Sequence, residues 1–178
     1  MSELTRCVDV DDLPAAGLHL DLEADAAQRR ALAGRLDLLD LASLTAAVDV
    51  VHGPRPGVTI ARGRLCGRAT QRCVVTLEPL EAAIETTFER YFVLDAGGPT
   101  GRSDAGEILV DVDEEEPEPL SGPLLDLGEL VVEEFALALD PYPRSAGADE
   151  TMRRFQETHV DPTHPFSALA RRRTSGGG

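Results

Sequence analysis

Between Leu44 and Val93 the chain leaves few folds open. β-Branched residues dominate SLTAAVDVV, VTIARGRLCGRATQRCVVTL and IETTFERYFVL, with breaks at His52 to Gly57 (HGPRPG) and around Pro79. Such residues lose rotamer freedom in a helix and fit a pleated, half-buried surface. The stretch therefore predicts a meander of antiparallel strands. Any other element has to be arranged around that sheet.

Two shorter strands are expected before it. TRCVDV, residues 5 to 10, alternates, and GLHLDL, residues 17 to 22, puts Leu18, Leu20 and Leu22 on one face. EADAAQRRALAGRL, residues 23 to 36, is rich in helix formers, with Asp25 early and Arg29, Arg30 and Arg35 later, the order the helix dipole favours. DAGGPTGRSDAG, residues 95 to 106, reads as a loop, and DVDEEEPEPLSG, residues 111 to 122, as an acidic, proline-punctuated mobile segment. The longest helix signal is LLDLGELVVEEFALALD, with Asp126 as cap and Glu129 three residues on, a variant of the capping box. Asp126, Glu129, Glu133 and Asp140 share one stripe of it, and Pro141-Tyr142-Pro143 stops it.

The fold class expected is α+β: an antiparallel meander, open or curled toward a barrel, covered by two main helices over 25 to 36 and 127 to 139. One domain is expected over 1–144, followed by an irregular tail over 145–178 that orders against a partner. With 178 residues there is length for one real core, and with aromatics at 4% that core must be built from Leu, Val and Ala.

Charge narrows the function. Seventeen cations, all arginine, against 32 carboxylates give a net charge of -15. Broad, charge-driven binding to nucleic acid is disfavoured, although a local basic face remains open. The first residues, MSELTRCVDVDD, are too charged for a signal peptide, and no run approaches the ~18 apolar residues of a membrane span. Three irregularly spaced cysteines fit a reducing compartment, so a cytoplasmic protein is expected.

Few residues offer chemistry. Cys66 and Cys73 are seven apart with no second pair, against the four local ligands of a structural zinc site, so no metal is expected. Histidines 19, 52, 159 and 164 lie in no catalytic motif, no phosphate-binding loop is present, and paired carboxylates are too common to stand out. The expectation is no enzyme, no cofactor and no small-molecule substrate, with Cys73 packing rather than reacting. Arg62, Arg64, Arg68 and Arg72 have one parity and would line a single face of an unbroken strand, unless a bulge at Gly63 or Gly67 intervened. They are either a solvated face balanced by acids or a small patch that meets phosphate. Arg171, Arg172 and Arg173 would be a second contact.

QRCVVTLEPL (71 to 80) and LLDLGELVVEEFALALDPYPR (ending at Arg144) resemble the two signature blocks of the YceD family, the large ribosomal RNA subunit accumulation proteins. ALAGRLDLLDLASLTA (31 to 46) is similar to the family's N-terminal pattern, and HPFSALA (164 to 170) to its closing N-P-F-x-x-L motif; the form looks alphaproteobacterial. The resemblance implies a bacterial factor that supports synthesis, processing or stability of large-subunit ribosomal RNA, with that RNA, a precursor particle or a ribosomal protein as partner. It marks Cys73, Leu77, Glu78, Pro79, Asp126, Leu127, Glu133, Pro141, Tyr142 and Pro143 as structural signature positions. Many members carry C-x-x-C where this chain has Cys73-Val74-Val75-Thr76, so the second cysteine is replaced by Thr76. Two functions stand beside each other: a non-catalytic assembly factor touching RNA through its arginines, and an acidic adaptor or chaperone for a basic ribosomal protein.

Overall fold

The computed structural model describes residues 4–94 and 117–158. In chain order these form β1 (Cys7–Asp9), β2 (Leu18–Glu23), α1 (Ala26–Arg35), β3 (Asp40–His52), β4 (Val58–Arg72), β5 (Pro79–Leu94), β6 (Glu118–Leu120), β7 (Leu124–Asp126), α2 (Leu127–Ala138) and α3 (Ala148–Thr158). The five-stranded sheet has the order β2-β3-β4-β5-β6, and β1 pairs β7 in a separate ribbon. β2/β3 and β3/β4 are antiparallel, so the expected α+β meander is present; β6 adds a parallel edge on Phe92 to Leu94. Among the described residues its edges, β2 and β6, do not pair, and the sheet is not a closed barrel. Contacts divide the chain into two compact units, one comprising residues up to Gln71 and from Glu81 to Asp140, the other Arg72–Leu80 and the chain from Pro141 onward.

In the first unit, alternation along β3 and β4 decides which face is wet. Leu44, Ala46, Val48 and Val50 of β3 and Ala61, Leu65 and Ala69 of β4 are buried, while Thr45, Arg62, Arg64, Cys66 and Arg68 are exposed. β4 is continuous, and the irregularity falls on β3 instead, where the register passes from Leu41↔Ala69 to Ser43↔Arg68 and leaves Ala42 extra. Both helices bear buried apolar residues, Leu32 and Ala33 on α1 and Leu127, Leu130, Val131, Val132 and Phe135 on α2. Gly67 makes room for the Phe135 ring: a Cβ there would lie 2.5 Å from Phe135 Cε2 and 3.2 Å from the Ser43 carbonyl oxygen.

The starts of α1 and α2 are capped by aspartate. Asp25 accepts from the amides of Ala27 (2.7 Å) and Gln28 (2.9 Å), and the Gln28 side chain accepts from the Asp25 amide at 2.8 Å, a reciprocal capping box. Asp126 accepts from the amides of Gly128 (2.9 Å), Glu129 (3.2 Å) and Arg6 (3.2 Å), tying the β1–β7 ribbon to α2. The box expected at α2 is only half made, because Glu129 turns to Arg35 of α1 in a salt bridge. Arg90 of β5 pairs with Glu134 of α2 at 2.7 Å and Glu118 of β6 at 2.9 Å.

In the second unit, Cys73 to Glu78 departs from the strand expected over 58 to 77. Residues 74–76 are a turn, Leu77 has φ 62°, and Pro79 opens β5 rather than closing β4. A helix, α3, occupies part of the stretch expected to be irregular; Glu150 pairs with Arg153 and Arg154 along it at i,i+3 and i,i+4 spacing. The loop expected over 95 to 106, most of the acidic segment before Pro117, and residues 159, 164 and 171 to 173 lie outside the described residues. Among the described residues no helix is long and apolar enough to cross a membrane.

Candidate functional site

Because β4 is unbroken, the parity argument holds: Arg62, Arg64 and Arg68 project from the outer face of the sheet, and all are exposed. Their neighbours decide what that face offers. Arg62 stands opposite Asp49 of β3, and Arg64 forms a salt bridge with Glu85 of β5. Along β5, Glu81, Glu85 and Glu89 are exposed at every fourth residue; β2 contributes His19, Asp21 and Glu23. The arginine stripe is thus flanked by carboxylates on both sides.

Two shallow depressions lie on this face. One is lined by His19, Ala47, Asp49, Arg62, Arg64 and Glu89. Ala47, between Thr45 and Asp49 on the same face of β3, supplies little side chain there. His19 Nδ1 lies 2.7 Å from Asp49, and this hydrogen bond is the main reason its pKa is raised above the ordinary histidine value, with the Asp49 and Asp21 charges adding to it. The second depression surrounds the extra residue of β3, between Asp40, Ala42, Arg68, Thr70 and Glu81. Ion pairs as exposed as this one are screened by water and contribute little, so a phosphate can take Arg64 from Glu85 at small cost. The same carboxylates nonetheless repel a polyanion at longer range.

The other chemically distinctive place is in the second unit. Cys73 has no exposed surface. Its Sγ accepts from the amides of Ser145 (3.3 Å) and Thr76 (3.4 Å), and the Ser145 hydroxyl lies 3.6 Å away. The thiol pKa falls to about 6, chiefly through the Thr76 hydroxyl and then the Ser145 and Thr76 amides, against an opposing effect of burial. The turn is closed by the Cys73 amide on Glu78 O, the Leu77 amide on Cys73 O and the Val74 amide on Pro143 O, each at 2.9 Å. Cys73 is therefore buried inside a turn rather than on the strand face expected. Nothing in the spacing points to Ser145, which lies 72 residues along the chain. Among the described residues no three histidine, cysteine or carboxylate side chains converge as metal ligands.

The remaining signature positions divide by location. In the first unit Leu127 is buried, Asp126 is the cap and Glu133 is exposed. In the second, Leu77, Glu78, Pro79, Pro141 and Tyr142 are exposed and Pro143 is buried, and the fourth candidate phosphate-binding arginine, Arg72, is exposed as well.

A family model described as "Large ribosomal RNA subunit accumulation protein YceD" matches residues 61–170. The span takes in QRCVVTLEPL, the α2 block and HPFSALA; the 31–46 pattern lies outside it. No curated protein and no solved structure matches.

Proposed function

The chain belongs to the YceD family, and from that premise we propose that it is a non-catalytic ribosome biogenesis factor that engages large-subunit ribosomal RNA or an early precursor particle. The family match over 61–170 carries the reading, since the family is named for accumulation of that RNA and is not a known enzyme class. The place of action is the cytoplasm, where such particles are built. Arg62, Arg64, Arg68 and Arg72 are the residues assigned to phosphate; exposure of all four supports the assignment. Replacing the four with glutamate should reduce co-sedimentation with large-subunit precursors while circular dichroism stays unchanged. A quadruple variant that sediments as the parent does would remove the arginines from the contact.

A second reading is supported by the carboxylates on either side of that stripe. With Glu81, Glu85 and Glu89 on β5 and a net charge of -15, the protein is suited to hold a basic ribosomal protein without touching RNA. Crosslinking in cells separates the two: ribosomal RNA adducts support direct contact, and ribosomal-protein adducts alone support the adaptor.

A further inference from the structure

We propose that the outer edge of β5, over Glu81 to Arg90, is a docking strand for an extended, arginine- or lysine-rich polypeptide segment. The proposal rests on the adaptor reading and gives it a place. Three observations lead to it.

The first is the sheet order. β5 has β4 on one side, and on the other β6 reaches only Phe92, Val93 and Leu94. Among the described residues nothing pairs with the remaining edge of this long strand. Ten residues at about 3.3 Å each give an edge of about 33 Å. An unpaired edge presents a row of backbone donors and acceptors that a further strand can satisfy.

The second is how that edge is protected. EAAIETTFER, residues 81 to 90, contains no proline and no lysine, the usual means of blunting an edge. Carboxylates at positions 81, 85 and 89 take their place, exposed on the outer face. Two copies of this edge side by side would bring glutamate rows together, and like charges across strands repel. A polyanion meets the same repulsion.

The third is complementarity. A strand added to this edge sets alternate side chains beside those of β5, so a segment with cations at alternate positions would pair with the three glutamates. The charge of the whole protein draws such a segment in. The backbone supplies adhesion along the edge, and the glutamate row selects a cationic partner.

The test uses the full chain and a labelled twelve-residue peptide alternating arginine and valine, with a second peptide N-methylated at alternate residues. N-methylation removes backbone donors and leaves charge intact. The first peptide should bind and slow amide exchange within Glu81 to Arg90; the methylated one should not. Combining Glu81→Gln, Glu85→Gln and Glu89→Gln should weaken binding about tenfold, from three cross-strand charge pairs. Equal binding of both peptides overturns the docking strand and leaves the adaptor reading standing, whereas binding of neither overturns both. Amides of Glu81 to Arg90 on the side away from β4 that are already protected in the free monomer, slowed instead by an RNA oligonucleotide, or protected in a self-associated dimer would each overturn the proposal.

Discussion

Adding one methyl group at Gly67 should destabilise the fold, and shrinking the ring above it should recover part of the loss. The Gly67→Ala Cβ would stand 2.5 Å and 3.3 Å from two ring carbons of Phe135 and 3.2 Å from the Ser43 carbonyl oxygen. Carbon atoms prefer about 3.5–4.0 Å, so the closest contact is short by about 1 Å. Phe135 has no exposed surface to retreat into, and Ser43 is held by its pairing with Arg68. Overpacking of this kind costs about 1–3 kcal/mol. In a protein of this size each kcal/mol lowers the melting temperature by about 2–4 °C, well within reach of a thermal scan by circular dichroism. Phe135→Leu alone should also destabilise, by less than the about 3–5 kcal/mol expected of Phe135→Ala. The double variant should be more stable than the sum of the two losses by about 0.5–3 kcal/mol, because the leucine vacates the space the methyl needs. Strict additivity, or a neutral Gly67→Ala, would falsify the packing of α2 on β4 described above.

Three further outcomes are expected. Asp25→Ala should cost about 1 kcal/mol by urea unfolding, since it removes the acceptor for two helix amides and its half of the capping box; an unchanged midpoint would mean the box contributes nothing. In a Cys7→Ser/Cys66→Ser background, thiolate absorbance should rise with a midpoint near pH 6 for Cys73 and move upward in Thr76→Val. The folded thiol gives up a proton that the unfolded chain holds up to about 9.0, so the associated stability is complete above that pH and fades as pH falls through about 6; a midpoint left near 9 would refute the hydrogen bonding described for the turn. Leu77→Gly should hold or raise stability by about 1 kcal/mol, since Leu77 has a left-handed backbone and is 67% exposed; a clear loss would show that its side chain packs.

The sheet was legible because alternation of period two survives in a half-buried meander: Leu44, Ala46, Val48 and Val50 face in, Thr45 and the β4 arginines face out. The cap at Asp126 was legible for a similarly local reason. The end of β4 was not. Val74, Val75 and Leu77 continue the apolar run, and propensity alone extends the strand through them. Hydrogen bonds from Val74 to Pro143 and from Ser145 to Cys73 override it, and no local pattern announces partners 69 and 72 residues away. The arginine face was readable as a face. The β5 glutamates beside it were readable only as abundant carboxylates, because strand order rather than sequence distance makes them neighbours.

The turn at Cys73 also has a position in time. It belongs to a unit assembled from two pieces of chain, Arg72–Leu80 and the stretch from Pro141 on, with about sixty residues made between them. While the chain is synthesised, β4 and β5 can form before Pro143 or Ser145 exists, so the turn must wait with its Val74 amide unpaired and its Cys73 sulfur held only by Thr76. Closing so long a loop brings its reward late, so the turn matures after the hairpin that carries it. Until then Cys73 is an open thiol at the tip of a hairpin.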